Sequence, residues 1–129
     1  MTSARAIKVM IVDDQQSMRS LIRASLNQLG IMEVAEASDG EEALRHLIVK
    51  PVTLVITDFN MPKLDGIGLL KAIRAYAPIK STAVIMLTGS ADRELVQRAA
   101  QHGVNNLLVK PFTVATLKAK IEAVFGQLA

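Results

Sequence analysis

The sequence lacks cysteine and tryptophan, and its aromatic residues are limited to one tyrosine and three phenylalanines. Without cysteine, the chain can form no disulfide, no thiolate metal site and no thiol nucleophile. Half of its residues are nevertheless hydrophobic, so the core must be filled with aliphatic side chains. The length is that of one ordinary domain, and we expect residues 1–129 to form a single domain.

Long hydrophobic segments are also missing. The apolar stretch in the N-terminal sequence MTSARAIKVMIVDD is only about six residues long, too short for a membrane-spanning helix or for the apolar region of a secretion signal. It ends in two acidic residues. We therefore expect a cytoplasmic protein that makes no contact with membranes.

The charge is unevenly distributed but nowhere concentrated. The basic residues outnumber the acidic ones by 15 to 12, yet they are scattered singly and have no interleaved aromatic residues for stacking on bases. This pattern argues against direct binding to nucleic acid. Residues 1–66 carry a net charge of −2 and residues 67–129 a net charge of +5. The second half of the chain therefore favours an acidic protein partner.

Five short runs rich in Val, Ile and Leu predict β-strands, at residues 7–12, 33–37, 53–57, 83–87 and 106–109. Three of the runs are nearly continuous in apolar residues, which is typical of parallel strands that are buried on both faces. Apolar residues with helical spacing lie between and after the runs. One stripe contains Met18, Leu21, Ile22, Leu26 and Leu29, and another contains Val114, Leu117, Ile121, Val124 and Leu128.

Residues that begin and end helices support this division of the chain. Gly30 and Gly103 follow helical patterns where a left-handed residue is favoured, and Ser38 with Glu41 has the spacing of a capping box. Two prolines, Pro51 and Pro78, follow the second and third helices. The order is strand then helix, repeated five times. Because right-handed crossovers join neighbouring parallel strands, this order predicts an α/β fold with an open, doubly wound sheet.

Polar residues follow four of the predicted strands. They are Asp13 and Asp14, Asp58, Thr88, and Lys110. Ligands bind beyond the carboxyl ends of strands in such sheets, and three carboxylates meeting there would raise one another's pKa unless a cation lay among them. All the candidate ligands are oxygens, which favours Mg²⁺, or Mn²⁺, over Zn²⁺.

Magnesium next to a carboxylate suggests phosphate chemistry. Lys110 offers a positive charge to one phosphoryl oxygen and Thr88 a hydroxyl to another, while Asp58 is a candidate nucleophile that would form an aspartyl phosphate. Each residue taken alone has a simpler explanation as a helix cap or a solvated side chain. Their occurrence together, each at a strand end, favours the functional interpretation.

Four motifs in this order carry a family resemblance: VDD at 12–14, TDFNMPKLDG at 57–66, LTG at 87–89 and VKPF at 109–112. The chain resembles the receiver domains of two-component response regulators, in particular those of the chemotaxis type. The resemblance implies a flavodoxin-like (βα)5 fold with a five-stranded parallel sheet in the order 2-1-3-4-5. It also implies a cis peptide bond before Pro111, which is reasonable because cis bonds are nearly confined to proline.

The resemblance assigns a role to each residue of the predicted site. Asp58 matches the phosphoacceptor, Thr88 the switch hydroxyl and Lys110 the phosphate-binding lysine. Magnesium would be held by Asp14, Asp58 and the backbone carbonyl of Asn60, with Asp13 acting through water.

The implied function is that of a phosphorylation-controlled binding protein. The family accepts its phosphoryl group from a phosphohistidine on a sensor kinase or phosphotransfer protein. Phosphorylation then changes the surface of helix four, strand five and helix five, which binds a downstream protein. Such a protein promotes its own phosphorylation and dephosphorylation but is not an enzyme for a separate substrate. Because the sequence stops soon after helix five, we expect a stand-alone regulator.

The sequence departs from the family at the switch. Chemotaxis-type receivers have an aromatic residue three positions before the conserved lysine, and this chain has Leu107 there. The resemblance therefore does not extend to the aromatic part of the switch. Asn60 and Ser90 occupy two positions at which the family varies the lifetime of the phosphoryl group.

Two alternatives use similar residues. A phosphatase of the haloacid dehalogenase type also has an Asp nucleophile, Mg²⁺, Thr and Lys, but it has Asp-x-Asp after its first strand, whereas Asp13 and Asp14 are adjacent. A flavodoxin-like cofactor binder would need a phosphate loop rich in Ser and Thr after the first strand, which this chain lacks.

Overall fold

The computed structural model of the protein describes residues 1–89 and 93–129, in which strands alternate with helices. The strands are β1 (Lys8–Val12), β2 (Glu33–Ala37), β3 (Leu54–Asp58), β4 (Ala83–Thr88) and β5 (Asn106–Val109). The helices are α1 (Gln16–Gln28), α2 (Gly40–Val49), α3 (Gly66–Ala75), α4 (Arg93–Gln101) and α5 (Val114–Phe125). All neighbouring strands pair in parallel in the order β2-β1-β3-β4-β5, which confirms the predicted fold.

The sheet is covered by helices on both faces. Successive residues of β1 point to opposite sides: Val9 and Ile11 pack with residues of α1 and α5, whereas Met10 and Val12 pack with residues of α2, α3 and α4. This two-sided burial explains why the strands are nearly continuous in apolar residues. No helix within the described ranges has both the length and the hydropathy needed to cross a bilayer.

Two details of the predicted helices were wrong. Leu21 is half exposed, because the buried side of α1 is formed around Ile22 and Leu26. The second helix is capped by Asp39 rather than by Ser38. Its carboxylate accepts a hydrogen bond from the backbone N–H of Glu42 at 2.8 Å, since the helix begins one residue later than the predicted capping box requires.

The end of the chain also differs from the prediction. The fifth helix ends at Phe125, and Gly126 follows it with a φ of 85°, so Leu128 does not extend the helical stripe. Leu128 still packs against the core, as a residue paired with Thr2 in an isolated parallel bridge. The two ends of the described chain are therefore joined by backbone hydrogen bonds.

Arg74 fixes the sheet edge opposite the predicted site. Its guanidinium donates to the carbonyl oxygens of Lys80, Thr82 and Gly103 and to the side-chain oxygen of Asn105, at 2.6 to 3.2 Å. Desolvation by burial lowers the pKa of Arg74 from its ordinary value. The side chain thus holds together the segments that lead into β4 and β5.

Candidate functional site

The three predicted carboxylates meet at the carboxyl end of the sheet. β1 and β3 are neighbours, with Val12 paired to Thr57, so the residues that follow β1 lie beside the end of β3. One carboxylate oxygen from each of Asp13, Asp14 and Asp58 lies within 4.8 Å of the other two. Parallel pairing brings Asp58 beside Asp13 and Asp14, although 44 or more positions separate it from them in the chain.

Asp13 is the most constrained of the three acids. It is completely buried, and its Oδ1 accepts a hydrogen bond from the backbone N–H of Gln15 at 2.9 Å. Its Oδ2 has no hydrogen-bond partner among the residues that the structure describes. Burial raises the pKa of Asp13, and the charges of Asp58 and Asp14 raise it further, against the lowering effects of the Gln15 N–H and Lys110.

Lys110 reaches into this cluster from the end of β5. Its Nζ lies 3.1 Å from Asp58 Oδ1 and 3.9 Å from Asp13 Oδ2. Its backbone N–H donates to the Thr88 carbonyl oxygen at 2.8 Å, and the bond to Pro111 is cis, as the resemblance implied. A cation therefore lies between two of the carboxylates, but it leaves the cluster with a net negative charge.

The two oxygens of Asp58 differ in their surroundings. Oδ1 accepts hydrogen bonds from the backbone N–H of Phe59 at 2.8 Å and from Lys110 Nζ. Oδ2 accepts none within the described part of the chain. The Asp58 side chain is 14% exposed and can be reached from solvent. Rigid attachment to the end of β3 and one uncommitted oxygen are properties expected of a nucleophile.

The site fits a magnesium ion. Its ligand set is made only of oxygens, and the buried Asp13 Oδ2 has no hydrogen bond in the described chain that would compensate its burial. Burying a negative charge that Lys110, 3.9 Å from Asp13 Oδ2, balances only in part is costly, and a divalent cation among three carboxylates would offset that cost. Direct binding by Asp14, Asp58 and the Asn60 carbonyl, with Asp13 acting through water, stays a prediction.

The predicted switch and lifetime residues differ in burial and in the elements that carry them. Thr88 is buried at the end of β4, beside Val109 of β5. Leu107 is half-buried and packs against the core on the face covered by α2, α3 and α4. Asn60 is exposed in the loop after β3, and Ser90 lies outside the described residues.

A recess of about 400 Å³ lies next to the carboxylates, between the loop after β3 and helix α4. The residues that line it are Phe59, Asn60, Thr88, Gly89, Glu94, Leu95 and Arg98. A Cβ atom added to Gly89 would meet no atom within 4 Å among the residues described outside 90–92. The recess therefore adjoins the residues that directly follow Asp58 in the chain, while the three carboxylates are not among the residues that line it.

Sequence reasoning missed Arg19. Its Nη1 donates to the carbonyl oxygen of Asp13 at 2.7 Å, and its Nε donates to Glu36 at 3.0 Å. Burial alone would raise the pKa of Glu36, but hydrogen bonds from Arg23 and Arg19 outweigh it and hold that pKa below its ordinary value. The sequence carries no signal for this network, because α1 and β2 are brought together only by the tertiary fold.

Comparisons with known proteins agree with this geometry. The family model of the response regulator receiver domain matches residues 9–122. The chain is 53% identical over 128 residues to a protein of Rhizobium etli named probable chemotaxis protein CheY, covering 99% of both chains. It is 45% identical to the chemotaxis protein CheY of Pseudomonas aeruginosa, covering 95% of this chain and 98% of that one.

The fold also matches solved structures. The structure of the Vibrio cholerae chemotaxis protein CheY4 superposes with a TM-score of 0.85 at 36% identity, covering 92% of this chain and 98% of that chain. These similarities support the receiver interpretation and not the haloacid dehalogenase alternative. The chain belongs to the response regulator receiver domain family, and within it to the CheY-like chemotaxis regulators.

Proposed function

We propose that residues 1–129 act as a receiver domain in which Asp58 accepts a phosphoryl group from a phosphohistidine of a partner kinase or phosphotransfer protein. The observation that carries this proposal is the arrangement at the end of β3. Asp58 lies in a cluster with two other carboxylates. Lys110 Nζ lies 3.1 Å from its Oδ1, and its Oδ2 accepts no hydrogen bond from the residues that the structure describes.

In the proposed transfer, Asp58 Oδ2 attacks phosphorus in line with the scissile P–N bond. The new bond joins Asp58 Oδ2 to phosphorus, the P–N bond breaks, and its electron pair returns to the imidazole of the donor. Lys110 is positioned to neutralise charge on one phosphoryl oxygen, and the Thr88 hydroxyl is a candidate donor to another. Magnesium held by Asp14, Asp58 and the Asn60 carbonyl would screen charge on the phosphoryl oxygens.

The chain is thus an acceptor in signalling rather than an enzyme for a separate substrate. The proposed output surface is formed by α4, β5 and α5, next to Thr88 and Lys110. The net charge of +5 on residues 67–129 supports an acidic protein target. If so, target binding should weaken as salt rises, and an affinity independent of salt would contradict this part of the proposal. The cytoplasmic location expected from the sequence stays a prediction.

The experiment that tests the proposal is chemical trapping of the acyl phosphate. The protein is incubated with Mg²⁺ and phosphoramidate, whose P–N bond resembles that of phosphohistidine, and is then reduced with borohydride. Reduction of an aspartyl phosphate converts the aspartate to homoserine, which peptide mass spectrometry can locate. We expect homoserine at position 58 in the native chain. Homoserine at position 13 or 14, or phosphate on a histidine, would contradict the assignment of Asp58.

A further inference from the structure

The loop that joins β3 to α3, residues 59–65, is held tightly at its base. The N–H of Gly66 donates to the Phe59 carbonyl oxygen at 2.9 Å, which closes the loop. A Cβ atom on Gly66 would lie 2.5 Å from the Asp58 carbonyl oxygen and 3.0 Å from the Phe59 Cα. Both ends of the loop are therefore packed against the end of β3 that carries Asp58.

The far side of the loop contains a strained turn. Lys63 has a φ of 67°, a conformation that a residue with a side chain rarely adopts. The N–H of Leu64 donates to the Pro62 carbonyl oxygen at 2.8 Å, across one residue, which defines a γ-turn centred on Lys63. A γ-turn with a positive φ is rare and strained, and such strain persists only where the surroundings maintain it.

The start of α2 provides those surroundings. The N–H of Gly40 donates to the Leu64 carbonyl oxygen at 3.2 Å. Lys63 Nζ lies 3.8 Å from Asp39 Oδ2, while the other oxygen of Asp39 caps α2. The strained residue Lys63 and its neighbour Leu64 are therefore both in contact with the start of α2.

Gly40 permits this contact because it has no side chain. A Cβ atom at position 40 would lie 2.8 Å from Leu64 Cβ and 3.0 Å from the Leu64 carbonyl carbon, and closer still to the carbonyl oxygen. Because these atoms belong to the backbone or are attached directly to it, they cannot move aside without moving the loop. Any larger residue at position 40 must push the loop away from α2.

We propose that the start of α2 positions the metal site, with Gly40 as a positioning residue that docks the loop carrying Asn60. This inference rests on the proposed function, in which the Asn60 carbonyl is a magnesium ligand. Asn60 lies within the loop between its closed base and its docked turn, so displacement of the turn is transmitted along a short, constrained segment. Docking at Gly40 and binding of magnesium are therefore expected to stabilise each other.

The first test is the magnesium affinity of Gly40→Ala, measured by isothermal titration calorimetry. We expect the Kd to rise at least about tenfold, the range found when groups that support metal ligands are changed. The matched control is Gly68→Ala, because a Cβ at position 68 would meet the flexible end of the same residue, Leu64 Cδ1 at 2.6 Å, rather than its backbone. The control should retain the native Kd within about twofold.

The results separate this inference from the proposed function. If the native chain binds no magnesium, the proposed function fails. If the native chain binds magnesium and Gly40→Ala binds it equally well, or if Gly68→Ala weakens binding as strongly as Gly40→Ala, the positioning role of Gly40 is wrong. Melting temperatures measured in EDTA show whether each variant is folded before its affinity is compared.

A second measurement uses only the native chain, so it remains decisive if Gly40→Ala does not fold. Amide hydrogen exchange of Gly40, whose N–H bonds to Leu64, is recorded with and without saturating magnesium. Because undocking of the loop breaks this bond, magnesium should slow the exchange of the Gly40 amide several-fold. The Gly68 amide, which donates to Asp65 Oδ1 at 2.8 Å, provides the comparison. Unchanged exchange at Gly40 in saturating magnesium would overturn the inference.

Discussion

Replacing Asp13 with asparagine should stabilise the metal-free protein. Asp13 is completely buried, one of its oxygens has no hydrogen-bond partner in the described chain, and two other carboxylates lie beside it. An asparagine of nearly the same shape keeps an oxygen for the Gln15 N–H and removes the buried charge. The cost of an unsatisfied buried polar group is about 1–3 kcal/mol and is higher for a charged one. The attraction to Lys110 at 3.9 Å is lost, which offsets part of the gain.

We therefore expect Asp13→Asn to raise the free energy of unfolding by about 1–3 kcal/mol at pH 7 in EDTA. The assay is urea unfolding followed by circular dichroism. Asp14→Asn is the matched control, because it removes the same charge from an exposed position of the same cluster. Its effect should stay within about 0.5 kcal/mol.

The effect should depend on pH in a defined direction. Because the pKa of Asp13 is raised in the folded state, the folded protein binds the proton more tightly than the unfolded chain, and native stability falls as pH rises from 3.8 through the raised value. The advantage of Asp13→Asn should therefore be full above the raised pKa and vanish below pH 3.8. A variant that is no more stable than the native chain at pH 7, or whose advantage is the same at acidic pH, would refute this reasoning.

Magnesium should reverse the comparison. A ligand at one hundred times its Kd stabilises the folded state by about 2.7 kcal/mol, and Asp13→Asn should bind magnesium more weakly because it lacks one charge of the cluster. The native chain should therefore gain more stability from magnesium than the variant does. Equal gains would show that Asp13 takes no part in holding the ion.

Three further substitutions test other parts of the structure. Lys110→Met should slow phosphorylation by acetyl phosphate at least about tenfold, because it removes a positive charge that would stabilise the transferred oxygens. Its magnesium affinity should be equal to that of the native chain or higher, because the lost positive charge lies 3.1 Å from Asp58. Loss of both phosphorylation and magnesium binding would contradict this separation. Glu36→Gln should destabilise the protein at pH 7 but not at pH 3 in urea unfolding. The pKa of Glu36 is lowered in the folded state, so its charge stabilises the fold at pH values above its ordinary pKa of 4.5, and this stabilisation is lost in acid. Arg74→Met should lower the free energy of unfolding by about 2–4 kcal/mol, because it removes five hydrogen bonds at 2.6 to 3.2 Å. It should not change magnesium affinity. The exposed control Arg45→Met should change the free energy of unfolding by less than about 0.5 kcal/mol.

The fold could be predicted from the sequence because its signals are local. Four of the strands are largely apolar and end at, or directly before, a polar residue, and the runs predicted at residues 33–37 and 106–109 coincide with β2 and β5. Parallel pairing then brings the strand ends to one edge, so the position of Asp13 beside Asp58 followed from the order of the elements. The boundaries were less certain, since Asp39 and not Ser38 caps α2.

The supporting contacts could not be predicted, because each joins segments that are distant in sequence. Arg74 bonds to carbonyl groups, which every residue possesses, so no residue type marks its partners. Position 40 has no room for a side chain because Leu64 lies directly against it, and only the folded backbone shows that contact. The strain at Lys63 has the same origin, since a lysine gives no indication of a positive φ.

The central claim is that Asp58 is the phosphoacceptor of a magnesium-dependent site. Intact-mass spectrometry tests it most directly, with the native chain and Asp58→Asn each incubated with acetyl phosphate, in magnesium and in EDTA. We expect an adduct of about 80 Da, one phosphoryl group, on the native chain in magnesium and on neither protein in EDTA. An adduct of the same size on Asp58→Asn, or one that forms on the native chain equally well in EDTA, would contradict the claim.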